Sequence, residues 1–266
     1  MTPQIVPFTI VESSGERSPD VIAALPLLEA ASELLLDCAS AGAVGVIAGP
    51  PGSGKSVALR RLAARYPTMS LPGDAFYYCC QANFGPTRGV KDLLVEMGIG
   101  GAILTNGSGS SLQLLFKIAL RDFSRKNIRC LLLDETDRWN GDAIAGILAL
   151  YDHLKERGHP ISLVMASMSE DPAWMAENYA ARSRTLRVLH AEPILAQEMV
   201  GLLALWSADF AKFAAEPDDE ISHTIYEHTG PDLRRLNFFA RIHERHFRGR
   251  GVSAESVKAT LKRLDE

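Results

Sequence analysis

A chain of 266 residues, 47% of them hydrophobic and 23% charged, is long enough for one large globular domain or two small ones. Its longest apolar runs, such as Val44–Ala48, are far too short to cross a membrane, and the first twenty residues lack the pattern of a secretory signal. The net charge of −4 argues against a protein that coats polyanions indiscriminately, and the four cysteines have no metal-binding spacing. We therefore expect a cytoplasmic protein.

The first two thirds of the chain alternate between strand and helix patterns. Residues 1–20 have little periodicity and predict an extended arm, and a helix over 21–40 follows. Short apolar segments then predict strands over 44–48, 75–80, 129–134, 161–167 and 185–189. Helices are predicted between them over 55–66, 90–98, 112–126, 142–157 and 172–181. This alternation predicts an open, parallel, five-stranded α/β sheet.

The pattern changes near residue 190, beyond which no strand signal remains. Helices are predicted over 193–213, 220–228, 233–247 and 253–264. We therefore divide the chain into an arm (1–20), an α/β core (21–190) and a small helical lid domain (191–266). Positions 192–232 hold nine acids and one lysine, whereas positions 234–250 hold six arginines and one glutamate. The basic segment is either a solvated helix surface or a face presented to phosphate.

The segment GPPGSGKS at 49–56 matches the phosphate-binding pattern G-x-x-x-x-G-K-[ST], and it lies between a predicted buried strand and a predicted helix. Glycines allow the backbone N–H groups to wrap around phosphates, and the helix N-terminus adds partial positive charge. Lys55 can reach the β- and γ-phosphates of ATP, and the Ser56 hydroxyl can bind Mg²⁺. The predicted nucleotide-binding residues are Gly49, Pro50, Pro51, Gly52, Ser53, Gly54, Lys55, Ser56 and Val57.

The segment LLLDE at 131–135 supplies a second motif. Three leucines predict a buried strand, whose carboxyl end places Asp134 at the edge where α/β sheets bind ligands. Asp134 can hold Mg²⁺ through water, and Glu135 can orient and deprotonate the attacking water. Two solvated acids at a strand end are the alternative, which the phosphate loop upstream makes much less favoured.

These two motifs together resemble the AAA+ superfamily of P-loop ATPases. The resemblance implies a polar sensor residue after the strand ISLVMAS (161–167), which would be Ser167, with Ser169 as the competing choice. It also implies a second sensor arginine in the helical lid. GPDLRRL at 230–236 resembles that segment, with Arg234 as the candidate and Arg235 beside it.

The AAA+ resemblance further implies a ring or helical filament of identical subunits, in which a neighbour's arginine completes each site. Such an arginine usually precedes the last strand of the sheet. The segment ARSRTLR at 181–187 offers Arg182 or Arg184 for this role, while Arg187 is expected to point elsewhere. A basic surface turn without this function is the alternative.

Across about residues 20–260 the chain is similar to the transposition-regulator ATPases of the MuB, TnsC and TniB group. That resemblance implies ATP-dependent assembly on duplex DNA and recruitment of a transposase or targeting protein. The DNA-contacting residues would lie in loops between the second strand and the next helix, namely Asn83, Arg88 and Lys91 in the loop 83–91 and Thr105 in the loop 105–111. These groups suit backbone phosphate contacts rather than base recognition.

Rival classes of protein share the same motifs. A replication initiator or helicase loader would also bind DNA, whereas an ATPase switch would not. A secretion ATPase of the ExeA type would usually bring transmembrane or peptidoglycan-binding segments. In the predicted helix 233–247 and just beyond it, Arg234, Arg241, Arg245 and Arg248 fall within a narrow arc, which could face phosphate or a neighbouring subunit.

Overall fold

The computed structural model describes residues 26–81, 85–99, 111–169, 175, 179–215 and 217–265. Its centre is a parallel sheet of five strands in the order β2-β3-β4-β1-β5. The strands are β1 Val44–Ala48, β2 Asp74–Cys79, β3 Ile128–Asp134, β4 Ser162–Ser167 and β5 Thr185–His190. The predicted fold class is confirmed, because all four strand pairings are parallel and helices cover the sheet.

Helices connect the strands and form the C-terminal part of the chain. Those of the α/β region are α1 Pro26–Ala41, α2 Lys55–Arg65, α3 Pro86–Glu96, α4 Leu112–Arg125, α5 Gly141–Glu156 and α6 Tyr179–Arg184. Those after the sheet are α7 Ala196–Trp206, α8 Ala208–Phe213, α9 Asp219–Thr229, α10 Leu233–Phe247 and α11 Ala254–Leu264. Two short 3₁₀ turns, Tyr66–Thr68 and Thr136–Arg138, follow α2 and β3.

Two of the predicted helices have the wrong limits. The single helix expected over 193–213 is two helices, because Ser207 is extended (φ −145°, ψ 136°) and separates α7 from α8. Helix α3 begins at Pro86 rather than at residue 90, since Gly85 is extended and proline suits the first helical position. The arm, most of the loop 98–111 and most of the helix predicted over 172–181 lie outside the described residues.

The sheet is buried between two hydrophobic layers, one on each face. Strand β1 contributes to both because its side chains alternate: Val44, Val46 and Ala48 face α3, α4 and α5, whereas Ile47 faces α1 and α2. The core around Ile47 continues into α8 and α10, where it includes Phe239. The C-terminal helices thus pack in the hydrophobic layer on the face of the sheet that α1 and α2 cover. The domain boundary at 190 stays a prediction.

None of the helices in the described ranges is long and apolar enough to cross a membrane.

Candidate active site

The loop between β1 and α2 is held in a conformation that only glycine adopts easily. Gly52 and Gly54 have φ of +80° and +93°, in the left-handed region. A side chain on Gly52 would also collide with Asp232, because its Cβ would lie 2.5 Å from the Asp232 carboxylate oxygen Oδ1. The backbone of the loop is therefore free to approach a phosphate group closely, and the segment before α10 lies directly against it.

Lys55, the first residue of α2, is only 7% exposed. Its ammonium group donates hydrogen bonds to the carbonyls of Gly49 (2.7 Å) and Pro50 (2.6 Å) and to the Ser53 hydroxyl (3.2 Å). Burial lowers the pKa of Lys55, and the nearby carboxylates of Asp134 and Asp137 oppose that shift. The Lys55 amino group is thus buried and held against the loop, close to where the phosphates of a triphosphate would bind.

Asp134, at the end of β3, is 2% exposed and has both carboxylate oxygens hydrogen-bonded. Oδ1 accepts from the backbone N–H of Glu135 (2.9 Å), and Oδ2 accepts from the Tyr77 hydroxyl (2.8 Å). The Tyr77 oxygen in turn accepts from Arg60 Nε at 3.2 Å. Asp134 lies at the carboxyl end of its strand, as its motif predicts, whereas its hydrogen-bonded link to β2 and α2 is found only in the structure.

Glu135 has a left-handed backbone (φ 54°, ψ 42°), which a residue with a side chain rarely adopts. Its carboxylate forms an ion pair with Arg138 Nε at 2.8 Å and accepts a hydrogen bond from the Cys79 thiol at 3.5 Å. The predicted base is thus at the cleft but is paired with a cation of its own loop. The sequence offers one signal for this pair, namely opposite charges three residues apart.

Ser167, at the end of β4, is fully buried and donates a hydrogen bond to Asp137 Oδ1 at 2.6 Å. The other oxygen of Asp137 accepts from the backbone N–H of Met168. Strand β4 lies between β1 and β3, so Ser167 lies between the phosphate loop and the acidic pair. Ser169 is exposed and does not line the cleft, which favours Ser167 as the sensor.

Arg234 enters the site from the N-terminus of α10. Asp232 caps this helix by accepting from the Arg234 N–H (2.7 Å), and the Leu233 N–H donates to the Gly52 carbonyl (3.1 Å). The exposed Arg234 lines the cleft, whereas Arg235 pairs with Asp265 at 3.2 Å on the surface. Of the two adjacent arginines, only Arg234 is positioned to meet a nucleotide.

A single cleft brings the predicted groups together from four parts of the chain. It encloses about 520 Å³, including the part that opens to solvent. Its lining residues are Pro51, Gly52, Gly54, Lys55, Ser56, Val57, Asp134, Glu135, Ala166, Ser167, Met168, Leu233 and Arg234. The described residues hold no cluster of three or more His, Cys, Asp or Glu side chains that could bind a metal by themselves. The Ser56 hydroxyl and the Asp134 carboxylate are the hard oxygen donors that suit an Mg²⁺ ion shared with phosphate oxygens.

The two candidate trans-acting arginines lie away from the cleft on α6. Arg184 forms a short ion pair with Asp152 of its own chain (2.5 Å). Arg182 is exposed, and within the described ranges its guanidinium has no ion-pair partner. Arg187 lies 3.7 Å from Asp37, away from both, in agreement with its predicted strand position. Arg182 is therefore the better candidate of the pair.

The predicted DNA-contacting residues are only partly described. Asn83 and Thr105 lie outside the described residues. Arg88 and Lys91 are in the first turns of α3 and not in a loop, so the predicted loop placement is wrong. Arg88 is exposed, with Nε 3.8 Å from the Asp92 carboxylate one turn along the helix.

The phosphate loop, the acidic pair Asp134 and Glu135, and the polar Ser167 on the strand between them define a P-loop NTPase with the AAA+ fold. A family model described as an AAA domain matches residues 39–171, half of the chain. The chain belongs to this AAA domain family, which implies nucleotide binding and hydrolysis. No curated protein sequence matches it significantly.

Solved structures with the same fold include three whose similarity extends over about nine tenths of this chain. Cdc6p from Pyrobaculum aerophilum is 19% identical with a TM-score of 0.69, covering 93% of this chain and 70% of its own. The Aeropyrum pernix ORC1 protein, solved in complex with DNA, is 20% identical with a TM-score of 0.58, covering 92% and 66%. Domain III of the Thermotoga maritima replication initiation protein DnaA is 17% identical with a TM-score of 0.57, covering 92% and 95%.

Proposed function

We propose that this chain is an Mg²⁺-dependent ATPase whose nucleotide state controls its assembly on duplex DNA, as an initiator- or loader-type AAA+ protein. The observation that carries the proposal is the cleft itself. It collects Lys55, the pair Asp134 and Glu135, Ser167 and Arg234 around one cleft that opens to solvent. These are the charge-stabilising, water-positioning and phosphate-sensing groups that phosphoryl transfer needs.

Each group has a separate task in hydrolysis. The loop N–H groups and Lys55 hold the β- and γ-phosphates, and Glu135 accepts a proton from the attacking water. Mg²⁺, when bound, neutralises phosphate charge next to Ser56 and Asp134. Ser167 and Arg234 contact the γ-phosphate from the sheet and from α10. Because Arg138 pairs with the Glu135 carboxylate, that pair must loosen before Glu135 can act as a base.

Binding of DNA is supported by the charge distribution on α10. Arg241 and Arg245 are exposed and follow Arg234 at helical spacing, opposite the buried side of the helix, and the exposed Arg248 comes directly after the helix ends. Phe238, 65% exposed, lies in the same row. Exposed guanidinium groups of this kind suit phosphate contacts without base recognition.

One subunit with a few phosphate contacts would bind DNA weakly. We therefore propose that a homo-oligomer, a ring or a helical filament, lines up many subunits in the ATP state. The initiator type is favoured over transposition regulation because the similar structures named above include a replication initiation protein and one protein solved in complex with DNA. A transposase or targeting protein as partner stays a prediction from the sequence resemblance.

The test is electron microscopy and a titration of duplex DNA at several salt concentrations, with and without a non-hydrolysable ATP analogue. We expect cooperative binding that requires the analogue, ignores sequence and weakens steeply with salt as counterions are released. Replacing Arg88 and Lys91 with alanine should lower affinity for all sequences and reduce the salt slope by roughly one unit for each phosphate interaction that is removed.

The matched control replaces Lys258 and Lys262, two exposed lysines on α11, and should leave the salt slope unchanged. Lys55→Ala should abolish the response to the analogue. If the protein stays monomeric and does not bind DNA in any condition, the DNA proposal is refuted. A DNA-independent ATPase switch is then the better description.

A further inference from the structure

A chain of hydrogen bonds runs from the surface of α2 through β2 to the buried carboxylate at the end of β3. Arg60 Nε lies 3.2 Å from the Tyr77 oxygen, and the Tyr77 oxygen lies 2.8 Å from Asp134 Oδ2. In the β2–β3 register Tyr77 is opposite Leu132, so Asp134, two residues further along, projects from the same face of the sheet. The contact is therefore fixed by strand pairing.

The direction of this chain follows from the chemistry of its members. A guanidinium group can only donate hydrogen bonds, and an ionised carboxylate can only accept them. The Tyr77 oxygen must therefore accept a hydrogen bond from Arg60. The hydroxyl has a single proton of its own, which it donates in the hydrogen bond to Asp134. Donation from Arg60 also polarises the phenol and strengthens the bond to the carboxylate.

The consequence is a fixed orientation for Asp134. Its Oδ1 accepts from the Glu135 N–H at 2.9 Å, so each carboxylate oxygen has one donor from the chain and further lone pairs for a metal-bound water. The carboxylate is 2% exposed, so bulk solvent has little access to replace a missing donor. Removing the Tyr77 hydroxyl would leave Oδ2 without its partner and allow the carboxylate to rotate.

We infer that Tyr77 is a positioning residue for the magnesium-binding carboxylate Asp134, and that Arg60 acts on Asp134 through Tyr77. This inference rests on the proposed Mg²⁺-dependent nucleotide site. Groups that hold a metal-binding carboxylate in place typically contribute tenfold or more to metal affinity or activity. Tyr77 should therefore affect how much Mg²⁺ strengthens nucleotide binding, and not the binding of nucleotide alone.

The experiment is calorimetric titration with a non-hydrolysable ATP analogue, once with excess Mg²⁺ and once with a chelator. In wild-type protein Mg²⁺ should raise the affinity. In Tyr77→Phe that gain should shrink by about tenfold, while the affinity in chelator stays unchanged. The matched control is Tyr78→Phe, which removes a hydroxyl from the next residue of β2. Tyr78 is buried on the other face near Trp139, so this variant should keep the full gain.

Arg60 is tested in a double-mutant cycle. Arg60→Gln should reduce the Mg²⁺ gain by a smaller factor, about threefold, because it removes one hydrogen bond at the exposed end of the chain. In the Tyr77→Phe background it should have no further effect, since Arg60 then has no path to Asp134. If Tyr77→Phe fails to fold by circular dichroism, Arg60→Gln still tests the hydrogen-bonded chain, because an undiminished Mg²⁺ gain in that variant would refute it.

Three results would overturn the inference, and they are distinguishable. A wild-type protein that does not bind the analogue would remove the proposed function together with this inference. A full Mg²⁺ gain in Tyr77→Phe would refute the positioning role while the proposed function stands. Equal weakening of Tyr77→Phe with and without Mg²⁺ would show a structural role in the fold of the cleft.

Discussion

The two sides of the cleft are built differently. On the sheet side, Lys55, Asp134 and Ser167 are each less than a tenth exposed, and each has hydrogen-bond partners within the chain. On the side of α10, Arg234 is exposed, and so is Arg182 on α6, which lies away from the cleft. The buried groups are held in place by contacts within the chain, whereas the exposed guanidinium groups are open to contact with a nucleotide or with a neighbouring subunit.

The difference in burial predicts different roles, with the buried groups acting in hydrolysis and the exposed arginines regulating it. Buried groups with fixed partners lose little entropy on reaction and act strongly in a poorly hydrated site. Exposed arginines cost side-chain entropy when they become ordered, so their contribution depends on what they contact. Substitutions on the sheet side should therefore affect turnover most, and those on the other side should affect it less and in a context-dependent way.

The largest effect is expected for Glu135→Gln. It keeps the shape of the side chain and removes the base, so hydrolysis should fall by roughly 10²-fold while ATP affinity is retained. The measurements are steady-state turnover and nucleotide affinity. Glu156→Gln, at an exposed position on α5, is the control and should turn over normally. Normal turnover in Glu135→Gln would remove Glu135 from the mechanism.

A smaller effect is expected for Arg234→Ala, about tenfold on hydrolysis, because the substitution removes one charge-assisted hydrogen bond to phosphate. Its neighbour provides the control. Arg235 pairs with Asp265 on the surface, where an exposed ion pair contributes little, so Arg235→Ala should change turnover by less than about twofold. Equal effects of the two substitutions would contradict the assignment of Arg234 to the cleft.

The smallest expected effect is a partial recovery of ATP hydrolysis when two impaired variants are mixed. Arg182→Ala should bind ATP and hydrolyse it slowly, and mixing it with Lys55→Ala should restore activity at interfaces where each supplies what the other lacks. Random head-to-tail association of equal amounts predicts recovery of about a quarter of the sites. Arg184→Ala should show no such rescue, because Arg184 pairs with Asp152 of its own chain. Turnover that is independent of protein concentration, without rescue, would refute a trans-acting arginine.

Much of the sheet side can be predicted from the sequence. The strands are short apolar runs, and in a parallel sheet their carboxyl ends meet, so Lys55, Asp134 and Ser167 are expected at one edge. The sequence does not predict the partners Tyr77 and Arg138. Tyr77 meets Asp134 only through the register of β2 with β3, which no local pattern encodes.

The limits of two helices and one ion pair are predicted less well, for physical reasons that differ between positions. The break at Ser207 falls inside a continuous apolar pattern, so periodicity does not reveal it. Gly85 and Pro86 are residue types typical of loops, although here they begin α3. The pairing of Arg184 with Asp152 joins residues 32 positions apart, and only the tertiary fold brings them together.

The hydrogen bond from the Leu233 N–H to the Gly52 carbonyl, beside the close approach of Gly52 to Asp232, has a thermodynamic consequence. Suppose that a nucleotide and a ligand on α10 both favour the same arrangement of the loop against α10. Each then raises the affinity of the protein for the other, and the two factors are equal. This reciprocity could act locally, since the phosphate loop and the N-terminus of α10 share one backbone hydrogen bond. A ligand bound to the exposed arginines of α10 would thus change the affinity of the phosphate loop for nucleotide, and bound nucleotide would change the affinity of these arginines for that ligand by the same factor.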